Sequence, residues 1–258
     1  MFPLRDDNPH FTTPVATYGL IALNVLAWIL LQGFGVEPAL SASVCSYGLI
    51  PADVLGTVPP GTSFPISPDA SCVLAGGGSW HTVITSMFLH GGWMHLIGNM
   101  WFLWIFGNNV EDAMGHVRFV VFYLLCGIAA AALQTAFDPK SVIPMVGASG
   151  AIGGVMGAYV LMYPRVNVHL FIVLGFYVNT IAVPAYFMLG YWLLLQVVSG
   201  SMAIGAEGGG VAFWAHVGGF VAGAILSYVF RNREMLARHP NYGWNRQAAT
   251  ERWRSVRR

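Results

Sequence analysis

The chain contains six long stretches without a charged residue, and this feature restricts its possible folds more than any other. Only 9% of the 258 residues are charged, against about 25% in an ordinary soluble domain, and 56% are hydrophobic. An α-helix needs roughly 20 mostly apolar residues to cross a bilayer. The uncharged stretches cover residues 8–36, 70–110, 119–137, 141–164, 166–206 and 208–230. The composition therefore predicts a membrane protein whose charges lie between its spans.

An all-α fold with six transmembrane helices accounts for these stretches. The first helix is long for the core of a signal peptide and has no clear small-residue cleavage site, so we interpret it as a retained span. Residues 37–80, rich in Gly, Pro and Ser, form the predicted outer loop between the first two helices. The six helices are predicted near residues 15–34, 91–109, 118–136, 147–163, 184–199 and 211–230.

The positions of Lys and Arg predict the orientation of the chain, because short cytoplasmic loops collect these residues. With six spans and a cytoplasmic N-terminus, Lys140 is the one basic residue outside, and the other 11 of the 12 are inside. The predicted organisation is a cytoplasmic segment 1–14, a membrane domain 15–230 and a basic cytoplasmic tail 231–258. The positive charge of the tail is explained equally well by contact with anionic lipid and by binding to a protein partner.

Residues 166–206 are long enough for two helices, so a seventh span is the alternative. It would place the arginine-rich tail outside, against the charge distribution. The segment 166–183 is rich in β-branched and aromatic residues and runs into Pro184, which suits the start of a helix. We interpret this segment as a membrane-associated loop or hairpin packed on the protein, because exposed irregular backbone is not tolerated in lipid.

Polar side chains inside apolar spans are costly, which makes them candidate site residues. Ser149 lies near the start of the fourth helix and His216 near the start of the sixth. His95 and Asn99 are four residues apart in the second helix and share one of its faces. In the six-span topology these three helices run in the same direction, so the four side chains lie at one depth near the outer surface. A seventh span would separate Ser149 from His216.

These residue types together predict acyl transfer. A histidine can remove the proton of a serine hydroxyl as that oxygen attacks a carbonyl, which makes Ser149 and His216 a candidate catalytic dyad. No carboxylate in these helices is placed to orient His216. The side chains of His95 and Asn99, with the Ser149 N–H, could stabilise the resulting oxyanion. In a membrane, this chemistry indicates peptide-bond hydrolysis.

Glycines surround both members of this dyad at four-residue spacing. Small residues at that spacing let two helix backbones approach closely, which a short serine side chain needs to reach a histidine on another helix. Taken alone, the pattern indicates only packing. The pairs are Gly150 with Gly154, Gly153 with Gly157, and Gly219 with Gly223.

Simpler explanations exist for each of these residues. A lone serine in a membrane helix most often bonds to its own helix or packs against a neighbour. His90 and His95 as metal ligands are disfavoured because no Cys, Asp or Glu lies nearby, so no metal is expected. In the outer loop, Cys45 and Cys72 either pair as a disulfide or remain two free thiols.

The residues resemble the rhomboid family of intramembrane serine proteases, in particular its bacterial members. The resemblance covers about residues 80–230. It rests on Gly147-Ala148-Ser149-Gly150, on Ala215-His216-Val217-Gly218-Gly219, on "HGGWMHLIGN" with His90, His95 and Asn99, and on Gly107, Glu111 and Gly115.

The resemblance implies a six-helix fold with Ser149 as nucleophile and His216 as general base. It also implies that His95 and Asn99 stabilise the oxyanion, and that no metal or organic cofactor takes part. The implied substrates are membrane-anchored proteins, cut within or beside a transmembrane helix, and no nucleic acid partner is implied.

Two positions depart from the pattern of some family members. Trp80-His81 stands where they have a Trp-Arg pair, and Gly153 stands where they carry an aromatic residue that stacks on the histidine. We therefore expect other aromatic residues or closer helix packing to position His216, in a roomier site.

Two other classes of protein remain as alternatives. A rhomboid-like binder of transmembrane helices is disfavoured because this chain has both Ser149 and His216. A transporter is disfavoured because the spans contain no charged residue and no repeat is visible. The sequence predicts no oligomeric state.

Overall fold

The computed structural model describes residues 2–67, 70–175, 177–203 and 211–244. Most of the described chain is helical. Short 3₁₀ turns lie at Gly33–Gly35 and Ser86–Phe88. The helices and strands are β1 (Phe2–Asp6), α1 (Val15–Leu30), α2 (Ala39–Tyr47), α3 (Pro51–Val54), β2 (Ser63–Ser67), β3 (Ala70–Val73), α4 (Thr82–Thr85), α5 (Trp93–Met114), α6 (His116–Phe137), α7 (Ser149–Met162), β4 (Asn167–Leu174), β5 (Tyr177–Pro184), α8 (Ala185–Met202), α9 (Phe213–Phe230) and α10 (Arg233–Arg238).

Three helices in the described part of the chain, α6, α8 and α9, are long and apolar enough to cross a membrane. Helices α1 and α7 are apolar but shorter. The six helices predicted from the sequence overlap α1, α5, α6, α7, α8 and α9. Of the predicted basic tail, residues 245–258 lie outside the described part of the chain.

Helix α7 forms the centre of the bundle. Every residue from Gly150 to Tyr159 is buried, as expected for a helix that is apolar on all sides and enclosed by others. Helices α5, α6, α8 and α9 surround it. Ser149, the first residue of α7, therefore begins a helix that is buried along most of its length.

The described chain is mainly helical but also contains two small antiparallel sheets. The predicted all-α fold is therefore correct for most of the chain and wrong for these strands. Strands β4 and β5 form a hairpin within the segment predicted as a loop or hairpin, and β1 adds to it in the order β1-β4-β5. Strands β2 and β3 pair within residues 37–80. The β-branched and aromatic residues of 166–183 favour strands. The pairing of β1 with β4 joins residues far apart in the chain, so no local sequence pattern predicts it.

At one end of the bundle, two carboxylates of α5 hold the segment that leads into α1. Glu111 is fully buried and accepts the backbone N–H groups of Ala16 and Thr17 at 2.9 and 2.7 Å. Asp112 accepts the N–H of Thr12 at 2.8 Å. Negative charge at the N-terminus of α1 satisfies amides that have no partner within the helix. These contacts give both carboxylates a structural role.

Asp6 connects the β1 strand to the central helix at this same end. The Tyr159 hydroxyl of α7 donates a hydrogen bond of 2.5 Å to the Asp6 carboxylate. Burial raises the pKa of Asp6 from 3.8 to about 6, although that hydrogen bond partly opposes the change. Asp6 is thus held in a place that disfavours its charge.

The segment 37–80 lies beside the start of α7, at the opposite end. The backbones of Leu49 and Met145 bond to each other in both directions, at 3.0 and 2.7 Å. Within the segment, Cys45 of α2 and Cys72 of β3 form a disulfide. The predicted loop is therefore folded, and it packs next to the chain that leads into Ser149.

Candidate active site

Helices α7 and α9 touch through their backbones. A Cβ atom added at Gly219 would overlap the carbonyl of Gly150, and one at Gly223 would overlap the carbonyl of Gly154. A Cβ at Gly157 would overlap the carbonyl of Phe220 in the same way. The glycine pattern thus has a geometric reason, because no other residue allows the two helices to approach this closely.

This approach brings Ser149 and His216 into hydrogen-bonding contact. The Ser149 Oγ lies 2.8 Å from His216 Nε2. Ser149 occupies the first turn of α7 and His216 the first turn of α9. A serine bonded to an imidazole in this way has its base in place for attack on a carbonyl.

Two residues of α8 contact the other side of the His216 ring. Gln196 Oε1 lies 2.8 Å from His216 Nδ1. The Trp192 ring lies 5.6 Å from the imidazole, at an interplanar angle of 36°. Neither residue was among the sequence candidates. Gln196 is a polar side chain in an apolar helix, so the criterion that identified Ser149 would also have identified it.

Gly153 faces the main chain of α9. A Cβ atom there would lie 3.0 Å from the carbonyl oxygen of His216. The backbone of α9 therefore fills the space beside Gly153, and the roomier site stays a prediction. Trp192 supplies an aromatic contact to His216 from α8 instead.

His95 and Asn99 present hydrogen-bond donors on the other side of Ser149. His95 Nδ1 accepts the Gly91 backbone N–H at 3.2 Å, which leaves the proton of a neutral ring on Nε2. Asn99 is buried, and its Nδ2 has no hydrogen-bond partner among the described residues. Both side chains line the same cavity as Ser149.

Gly147 keeps the space between these donors and the serine open. Its φ of +131° is a conformation that L side chains rarely adopt. A Cβ atom there would lie 2.7 Å from His95 Nε2 and 3.4 Å from Ser149 Oγ. A side chain at this position would fill the space between His95 and Ser149.

His90 lies behind His95 and is fully buried. The two imidazole rings meet edge to face with centroids 5.1 Å apart. The backbone N–H and carbonyl of His90 both bond to the Gln32 side chain, at 2.8 and 2.7 Å. His90 therefore supports the ring of His95 and does not face Ser149.

A cavity of about 620 Å³ joins these groups. Ser149, His216, His95 and Asn99 line it, together with apolar residues that include Phe102 and Trp192. Within the described residues, no group of three or more His, Cys, Asp or Glu side chains is placed to hold a metal ion. The cavity combines a serine hydrogen-bonded to an imidazole, the side-chain donors of His95 and Asn99, and an apolar wall.

A family model described as the rhomboid domain matches residues 77–233, more than half of the chain. The chain belongs to the rhomboid family. This confirms the resemblance seen in the sequence, and the matched range contains every residue of the cavity described above.

Individual rhomboids resemble this chain over parts of their length. RHOMBOID-like protein 4 of Arabidopsis thaliana is 30% identical over 179 residues, which are 69% of this chain and 39% of that protein. Rhomboid protease GluP of Bacillus subtilis is 32% identical over 149 residues, or 58% and 26% of the two chains. Rhomboid-like protease 5 of Toxoplasma gondii is 32% identical over 155 residues, or 58% and 16%. The chain thus spans less than half the length of these rhomboids.

Proposed function

We propose that this rhomboid is an intramembrane serine protease that hydrolyses peptide bonds in or next to transmembrane helices of membrane-anchored proteins. The 2.8 Å contact between Ser149 and His216 carries the proposal. It lies in a cavity whose opposite side offers two donors, which is the arrangement that acyl transfer requires. Two relatives are themselves named proteases.

The first half of the reaction forms an acyl-enzyme. His216 takes the hydroxyl proton as Ser149 Oγ attacks the substrate carbonyl, and it then returns that proton to the leaving amine. The negative charge on the carbonyl oxygen is stabilised by Asn99 Nδ2, His95 Nε2 and the backbone N–H of Ser149. The first turn of a helix leaves its amides without a partner inside the helix, so the Ser149 N–H can serve as the third donor.

Water completes the reaction. His216 removes a proton from a water molecule, which attacks the ester carbonyl, and the serine oxygen leaves with that proton. The same donors stabilise the second tetrahedral intermediate. No step requires a metal or an organic cofactor.

The substrate helix must unwind before it can react. In a helix, the peptide bond is shielded by side chains, and its carbonyl is already hydrogen-bonded. Unwinding costs least where the helix contains Gly or other poor helix formers, so we expect cleavage beside such residues. The substrate approaches laterally from the bilayer, and the outer segment 37–80 and helix α8 are the candidate gates.

The proposed topology has six spans, formed by α1, α5, α6, α7, α8 and α9. The distribution of Lys and Arg supports cytoplasmic termini and a site near the outer face of the cell membrane. The domain organisation follows, with the membrane domain at 15–230 between two cytoplasmic ends.

The deciding experiment uses the purified protein in detergent with a fluorophosphonate probe and a test transmembrane substrate. We expect labelling at Ser149 and cleavage, both lost in Ser149→Ala and His216→Ala. Ser227→Ala is the matched control, because Ser227 lies on α9 with its hydroxyl donating to the Ala224 carbonyl at 2.7 Å, outside the cavity. Undiminished cleavage by Ser149→Ala would refute the proposal, and labelling at another serine would move the site.

A further inference from the structure

We propose that Gln196 positions the general base, by selecting the imidazole tautomer of His216 that can accept the serine proton. The inference rests on the proposed function and adds a third residue to the dyad. Gln196 lies on α8, whereas Ser149 and His216 lie on α7 and α9. Gln196 does not touch the reacting atoms, so it acts through His216.

The orientation of the Gln196 amide follows from its two partners. Its Nε2 donates to the backbone carbonyl of Trp192 at 3.3 Å. Because a carbonyl oxygen only accepts, the NH₂ group must face Trp192, and Oε1 must face His216. Oε1 lies 2.8 Å from His216 Nδ1. The backbone of α8 therefore determines which atom of the amide the histidine meets.

An acceptor at this position requires a proton on Nδ1 of His216. In neutral imidazole the other nitrogen then carries a lone pair and no proton. That nitrogen, Nε2, lies 2.8 Å from Ser149 Oγ, so it accepts the hydroxyl hydrogen. The opposite tautomer would present an N–H to the serine and could not act as base.

The same contact continues to act during the reaction. Once His216 has taken the serine proton, it is an imidazolium with N–H groups on both nitrogens. Gln196 Oε1 then accepts a hydrogen bond from a charged donor, which is stronger than one from a neutral donor. Among the described residues, the His216 ring is hydrogen-bonded to Ser149 and Gln196. The amide thus holds the place that a carboxylate occupies in a Ser-His-Asp triad.

Trp192 reinforces this placement from one turn earlier on α8. Its ring lies 5.6 Å from the imidazole and 6.2 Å from Phe220. It therefore limits rotation of His216 while Gln196 sets its tautomer. Both contacts come from α8, so the base is oriented only while α8 lies against α9. An α8 displaced to admit substrate has to return before the chemistry occurs.

The test compares Gln196→Met and Gln196→Glu in the full chain. Met keeps the length of the side chain but removes the acceptor, and we expect kcat to fall about tenfold to a hundredfold with KM unchanged. The rate of fluorophosphonate labelling should fall in parallel. Glu keeps an oxygen facing Nδ1, so its kcat should lie well above that of Gln196→Met.

Gln134→Met is the matched control. Gln134 Oε1 accepts the Ala215 backbone N–H at 3.2 Å, beside His216 but without contact to its ring. This variant should keep the wild-type kcat and labelling rate, even where its thermal stability falls. This control separates the loss of a glutamine amide that bonds to the α9 backbone region from the loss of the contact with the His216 ring.

Two outcomes overturn the inference and leave the proposed function intact, provided that Ser149→Ala is inactive. One is a Gln196→Met variant whose kcat stays within about twofold of wild type, below the loss expected for a hydrogen bond to a charged group. The other is a Gln196→Glu variant as slow as Gln196→Met, because the side chain would then act by packing. Failure of the wild-type protein to cleave and to label at Ser149 would instead refute the proposed function.

Discussion

The carbonyl of Gly150 occupies the space that a Cβ atom on Gly219 would fill. This contact between α7 and α9 lies one residue from Ser149 and three from His216. The separation of the dyad is thus determined by main-chain atoms of the two helices. Changes at these glycines should affect catalysis as well as stability.

Gly219→Ala should lower both thermal stability and activity. The added methyl forces α7 and α9 apart, at a cost of about 1–3 kcal/mol, as for other overpacked sites. The hydroxyl and the imidazole then lose contact, so cleavage should fall more than stability suggests. The control is Gly190→Ala in α8, where an added Cβ meets nothing within 4 Å. Thermal unfolding and cleavage in detergent report both effects, and a Gly219→Ala variant equal to Gly190→Ala would contradict the prediction.

Gly147→Ala should abolish most of the activity while leaving a folded protein. The φ of +131° strains any L residue, and the methyl would lie 2.7 Å from His95 Nε2, in the space proposed for the oxyanion. We expect a kcat loss of at least about a hundredfold, similar to loss of an oxyanion donor. Single-turnover cleavage measures it, and a variant with the wild-type rate would show that the oxyanion lies elsewhere.

Asn99→Ala should reduce kcat by about 10²–10³ with little change in KM, because its donor acts in the transition state. The buried Nδ2 of Asn99 has no partner among the described residues, so little ground-state bonding is lost. Asn24→Ala is the control, since Asn24 donates to the Leu20 carbonyl within α1 at 2.7 Å. A rise in KM at unchanged kcat would instead place Asn99 in substrate binding.

Asp6→Asn should change how stability depends on pH. Burial raises the pKa of Asp6 in the folded state from 3.8 to about 6. The folded protein therefore holds this proton more tightly than the unfolded chain does, and stability falls as the pH rises from about 4 through about 6. The loss is up to about 3 kcal/mol. The Asn side chain cannot ionise and still accepts the Tyr159 bond, so the variant should exceed wild type at pH 7.5 and equal it below pH 4. Thermal unfolding across this range checks the sign, and a difference that grows at low pH would contradict it.

The sequence predicted the helical part of this fold well, because a long uncharged, apolar stretch is typical of a helix that can span a bilayer. Ser149 and His216 could be placed together by counting spans, since helix direction alone puts them at one depth. The residues that orient the base were harder to find. Trp192 is one of many aromatic residues in an apolar helix, and Gln196 carries no charge. As a polar side chain in an apolar helix, Gln196 could still have been identified from the sequence. Only the packing of α8 on α9 distinguishes Trp192 from its neighbours.

The strands show a second limit of prediction from the sequence. Residues 166–183 suggested a hairpin through their β-branched side chains, but the pairing partner of that hairpin lies far away in the chain. Asp6 and Tyr159 meet by the same long-range contact. No periodicity within Phe2–Asp6 predicts a strand, because this segment is extended only through its pairing with β4.

The β1 strand has a consequence for biosynthesis. Its partner β4 follows α7 in the chain, so β1 is synthesised before α1 and can pair only after α7 has been made. Its pairing, together with the bond between Asp6 and Tyr159, therefore comes after the synthesis of α1, α5, α6 and α7. A fusion partner attached ahead of Phe2 would act on that late step, slowing maturation of the protein without altering insertion of its helices.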